Sequence, residues 1–171
     1  MNKIEEILRS KNKPKEKQVL LVKAVCNSEI TGKEFIDFFT SASDVDKGTC
    51  ADVMKHVSEQ KPGLLAPFID VLIGHINYKT LRVKWGVPEA IGNLARNYPE
   101  EVVEAIPKLF RNTKDDSTVV RWCAAYALTE IAKYNSRKQK ELQLFFSKMV
   151  KQEKNKGVKN VYLKALKQFK E

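Results

Sequence analysis

A chain of 171 residues with 43% hydrophobic content is long enough to bury one continuous core, and its 7 glycines and 6 prolines are too few for a disordered or collagen-like chain. Nothing approaches the run of about 18 apolar residues that a transmembrane helix needs, and MNKIEEILRSKNKPK has no apolar signal-peptide core, so a cytoplasmic protein without membrane attachment is expected. The net charge of +10 sits at the ends: residues 1–20 hold six basic and three acidic side chains, 21–132 thirteen and fifteen, and 133–171 twelve and three.

Taken in order, the chain reads as alternating helices and short turns. Ile4 to Leu8 and Lys17 to Cys26 form a first pair, with Pro14 placed at a helix start. Thr31 and Glu34 have the spacing of a capping box ahead of Phe35, Phe38 and Phe39. Ser43 to Gly48 reads as a turn and Thr49 to Ser58 as a helix. Lys61-Pro62-Gly63 breaks the chain before a helix over Leu64 to Ile73 with Pro67 inside it, where a missing hydrogen bond is expected to bend the axis. After the turn Asn77 to Thr80 comes a helix with Trp85, whose first turn Gly86 and Pro88 are expected to deform or shorten. Pro99 opens the next segment, Val102 to Phe110, which contains Pro107. Asp115 to Lys133 is a turn feeding one helix, in which Val120, Ala124, Ala127, Leu128 and Ile131 share a face. Asn135 to Lys140 reads as a basic loop, followed by Leu142 to Val150 and a last helix ending at Phe169.

These helices repeat. Val83, Lys84, Trp85, Ala90, Ile91, Leu94 and Ala95 stand 37 residues before Val120, Arg121, Trp122, Ala127, Leu128, Ile131 and Ala132. The register continues to Val158, Lys159, Ala165, Leu166 and Phe169, and back to Val53, Met54 and Val57, then Leu21, Val22 and Val25. A period in this range marks a repeat architecture. One domain over 1–171 is expected, with approximate repeats 1–28, 29–60, 61–97, 98–135 and 136–171.

Pro67 and Pro107 in the first helix of a unit, Asp115 and Asp116 opening the turn, and Val83-Lys84, Val120-Arg121 and Val158-Lys159 starting the second helix together resemble HEAT repeats. The resemblance covers the whole chain and is closest in the last three units; the first two lack the proline and the Val-Arg pair. It implies an all-α fold, an armadillo-type α-α superhelix of about five antiparallel helix pairs, with inner helices lining a concave face. It further implies that Asp115 and Arg121 belong to a ladder bridging adjacent repeats, with Asn77 and Lys84 as a weaker rung.

Helical phase places Trp122, Tyr126, Thr129 and Lys133 away from the apolar stripe, and Trp85, Glu89, Gly92 and Arg96 at the matching positions one unit earlier. The two tryptophans are expected to face solvent in neighbouring helices, forming an aromatic cleft with Tyr126, rimmed by Glu89, Arg96, Arg121 and Lys133. Trp, Tyr and Arg dominate binding hot spots. The alternative is that the tryptophans fill a tight curve against one another.

Catalytic chemistry finds little support. His56 and His75 lack partners at a telling spacing; Cys26, Cys50 and Cys123 form no CxxC; no phosphate loop occurs. No catalytic residue, metal site or cofactor is expected. The resulting expectation is a non-enzymatic scaffold that binds a protein or peptide on its concave face, with the oligomeric state open. The alternative is a nucleic-acid-binding solenoid, because Trp85 with Glu89 one turn later is similar to the aromatic and carboxylate pair of HEAT-like DNA alkylation-repair glycosylases. The C-terminal lysines read either as an anion footprint or as the polar cap of a terminal repeat.

Overall fold

The computed structural model describes residues 1–170. Among them the chain forms ten α-helices and no strand: α1 Lys3–Arg9, α2 Pro14–Cys26, α3 Gly32–Ser41, α4 Asp44–Gln60, α5 Ile69–Gly74, α6 Leu81–Leu94, α7 Ile106–Asn112, α8 Thr118–Tyr134, α9 Ser136–Gln152 and α10 Lys156–Phe169. The side chains of Asn2, Thr31, Ser43, Ser117, Asn135 and Asn155 each accept a hydrogen bond from a backbone N–H three residues on, which satisfies a donor left free at the helix start. Thr31 and Glu34 close their capping box in both directions.

The even-numbered helices form a continuous row, α2 on α4, α4 on α6, α6 on α8 and α8 on α10. Each odd-numbered helix packs on the even one that follows it. The core lies between the two sets: Leu21, Phe35, Met54, Leu72, Ile91, Leu94, Leu109, Leu128 and Phe146 are fully buried, and each such side chain contributes about 1.5–3 kcal/mol of hydrophobic stabilisation.

Several expected boundaries move. Residues 62–68 form two short 3-10 turns, so Pro67 precedes α5 instead of bending it. A third such turn, Val103–Ala105, leads into α7, where Pro107 occupies the first turn, the place where its missing N–H costs nothing. Ser43 caps α4, so the helix begins at Asp44 and the expected turn over 44–48 is helical. Asn135 caps α9 in the same way, and residues 136–140 belong to that helix, not to a basic loop. In addition Asn135 donates from Nδ2 to the Pro99 carbonyl.

Helix α6 is neither shortened nor broken: it runs unbroken over 14 residues with Pro88 buried inside. Its glycines serve packing. A Cβ on Gly86 would meet the Ala51 carbonyl far inside van der Waals contact, and one on Gly92 would lie 2.7 Å from Cε1 of Tyr126. Backbone of α6 thus lies directly against α4 on one side and under the Tyr126 ring on the other.

Charged side chains tie successive units. Lys84 Nζ donates to Asp115 Oδ2 at 2.8 Å. Arg121 turns back to the Asp115 and Asp116 carbonyls and forward to Glu153. Asp115 and Arg121 therefore meet through main chain, and each has its charged partner in a different unit. Lys47, 37 residues before Lys84, donates at 2.6 Å to the Phe39 and Thr40 carbonyls. Asn77 makes no link to Lys84; it donates to the Lys108 carbonyl and to Asn112 Oδ1, while Asn112 donates to the Ile76 carbonyl.

Candidate binding face on α6 and α8

Trp122 lies on α8 with 37% of its surface exposed, and its ring stacks on Tyr126 one turn later, centroids 5.7 Å apart and planes 3° from parallel. The i, i+4 spacing brings two such side chains together on one helix face. Tyr126 lies half-buried across Gly92, and its hydroxyl donates to Asn93 Oδ1. Asn93 donates in turn to the Lys55 carbonyl (3.1 Å) and to Ser58 Oγ (3.0 Å) on α4. This chain of bonds across α8, α6 and α4 fixes the ring that supports Trp122.

Glu89 sits beside the stack. It is paired with Lys55 at 3.6 Å and accepts from the Cys123 thiol at 3.4 Å. Lower on the same row Arg82 donates to Asp52 Oδ2 at 2.5 Å, as Gln18 Nε2 does from α2 at 2.9 Å. The Tyr126 phenol is pushed well above the usual range, first by burial and then by the negative charges of Glu130, Glu89 and Glu59. Glu130 is a half-buried carboxyl held above the usual range by desolvation, with Lys133 pulling it partly back, and among the described residues it has no ion-pair partner. Burial raises the Cys123 thiol far above its ordinary value and the Cys50 thiol to about 12, so both stay protonated.

The residues expected in the cleft differ in exposure. Trp122, Arg96 and Lys133 are exposed, and the Lys133 ammonium lies 5.3 Å from the Tyr134 ring centroid. Trp85, expected in solvent, is half-buried, and its indole N–H is fully buried with no protein acceptor. Thr129, expected on the open face, is buried and bonds back to the Tyr126 carbonyl. Gly92 is covered by Tyr126. Arg121 leaves the rim for Glu153. Helical phase assumes one buried stripe, whereas each middle helix of the row has neighbours on both flanks, and that widens the buried arc.

Helical phase also gives Asp52 on the open face of the second repeat, but it does not single out Asn93, Arg82, Glu130 and Glu153. Asn93 stands 37 residues after His56 and 37 before Glu130, so a row of polar residues at repeat spacing was the available signal. A cleft of about 640 Å³ lies away from this face between α1 and α3, where Lys3 pairs with Glu29 and Arg9 with Asp46. Among the described residues no group of His, Cys, Asp and Glu is arranged to hold a metal ion, and no helix is long and apolar enough to cross a membrane. No family model and no curated protein matches the chain.

Proposed function

We propose that the chain is a HEAT-like α-solenoid of about five helix pairs that binds a segment of a partner protein on the α6 and α8 face, without catalysis. The repeat reading is supported by a register of 32 to 38 residues, by the continuous row of even-numbered helices, and by the Lys84 to Asp115 and Arg121 to Glu153 links between units. Three free cysteines, with Cys50 and Cys123 buried, suit a reducing compartment such as the cytoplasm.

The observation that carries the binding reading is the exposed Trp122 stacked on an immobilised Tyr126. A large aromatic held rigid at the surface loses little conformational entropy when a partner covers it, which is the property of a hot-spot residue. Phosphate on this face is disfavoured by Glu59, Glu89 and Glu130 around the stack, so the glycosylase-like alternative has weaker support here.

The test is retention of partners from a lysate of the native cell on immobilised protein, comparing wild type with Trp122→Ala and Arg96→Ala. The expected outcome is one or a few proteins retained by the wild type and lost with Trp122→Ala, while the circular dichroism melt stays put. The same proteins retained equally by wild type and Trp122→Ala would remove this face from consideration.

A further inference from the structure

The terminal pair α9 and α10 carries a second surface of different character. At about 100° per residue, Lys156, Lys164, Lys167 and Lys170 fall within about a third of the helical circumference of α10, opposite the buried Val158, Tyr162 and Ala165. Lys148 and Lys151 on α9 and Lys154 in the connecting turn are exposed as well. None of Lys148, Lys151, Lys154, Lys156, Lys164 and Lys167 takes part in an ion pair among the described residues.

Among the described residues, the two acids of this pair do little to balance them. Glu153 is buried under Arg121, and Glu141 is spent on Lys138 at 3.6 Å. A polar cap needs charge, not charge of one sign; solubility is served by mixed signs, whereas unpaired like charges repel one another and destabilise the fold that carries them. So strong an excess of exposed lysines without ion-pair partners is therefore better explained by an anionic partner than by capping.

We infer that the exposed face of α9 and α10 docks the phosphodiester backbone of a nucleic acid, independently of sequence and of the aromatic face on α6 and α8. Lysines are compact point charges on flexible stems, suited to a repetitive and geometrically tolerant array of phosphates. The 14 residues of α10 span about 21 Å, a length over which a duplex presents on the order of a dozen charges. Exposed apolar residues at this end are the single leucines Leu144 and Leu163, on different helices, which do not make the continuous apolar face that burial in a bilayer requires.

The experiment is fluorescence anisotropy of a labelled 20-base-pair duplex against the full chain in 50 to 200 mM KCl. Wild type is compared with a Lys151→Gln, Lys156→Gln, Lys164→Gln, Lys167→Gln variant and with Trp122→Ala, each checked by thermal melting. With about five phosphates neutralised, wild-type affinity should fall by several hundred-fold over that salt range. The fourfold lysine variant should bind at least about tenfold more weakly at 50 mM, with its log-log salt slope smaller in magnitude by about 3.6. Trp122→Ala should bind like wild type.

Absence of binding at 50 mM, or wild-type affinity in the lysine variant, overturns the inference. Loss of binding in Trp122→Ala instead would move nucleic acid to the α6 and α8 face. Tighter binding to vesicles of 3:1 phosphatidylcholine and phosphatidylserine than to the duplex would assign the patch to membranes. Because partner retention is read with Trp122→Ala and nucleic acid with the lysine variant, either reading can fail alone.

Discussion

Arg121 on α8 and Glu153, 32 residues later in the turn before α10, form a pair with Nε to Oε2 at 3.1 Å, and the Glu153 side chain is only 3% exposed. Glu153 also accepts from the Asn155 backbone N–H, so the pair links the α8 start to the cap of α10. Arg121→Ala strands a buried carboxylate and should cost about 3–5 kcal/mol. Arg121→Lys keeps the charge but loses the fork and should cost less. Urea denaturation measures both; an unchanged midpoint in Arg121→Ala would mean the link contributes nothing.

Gly86 and Gly74 offer a paired test of close packing. Gly86→Ala drives a methyl group into the Ala51 carbonyl and should destabilise by about 1–3 kcal/mol, because α4 and α6 must separate. Gly74, at the end of α5, has nothing within 4 Å of a built Cβ, and Gly74→Ala should be neutral or stabilise by up to about 1 kcal/mol. Equal effects would contradict the α4 to α6 approach.

The thiols should separate by accessibility. Cys26 is partly exposed near the end of α2, whereas Cys50 and Cys123 are buried and held protonated. Titration with an aromatic disulfide at pH 8 is expected to label one thiol per chain in native protein and three in denaturant. Three fast thiols in the native protein would contradict the packing of α4 and α8.

Two carboxyls should act in opposite senses with pH. Asp46 is held below its usual range, chiefly by its hydrogen bond with Arg9, so it stabilises above the unfolded pKa of about 3.9, and that contribution is lost as pH falls through the folded value. Asp46→Asn should therefore be less stable than wild type at pH 7, the difference shrinking toward pH 2. Glu130 is raised above the unfolded value of about 4.3 by burial, so its favourable contribution is present below that pH and is lost as pH rises through the folded value. Glu130→Gln should melt higher than wild type at pH 7 and equally at pH 3. Thermal melts from pH 2 to 7 check both; a Glu130→Gln melt unchanged at pH 7 would deny the desolvation.

Helical periodicity in the sequence determined the all-α class and most of the core, because an apolar stripe recurring every 32 to 38 residues has to be buried whatever surrounds it. Local chemistry determined the caps at Thr31 and the helix start at Pro14, since those depend on residues a few positions apart. The caps Ser43 and Asn135, which start α4 and α9, are equally local, whereas tertiary structure alone decided which distant polar residues meet. Lys47, in the first turn of α4, satisfies two carbonyls near the end of α3, and Pro88 was accommodated within a helix flanked by α4 and α8. The open face was also decided there. Tyr126 lies over Gly92, Trp85 is half-buried and Arg121 belongs to Glu153, because helices packed on both flanks bury an arc wider than one stripe, and a charge finds its partner through space in the next unit.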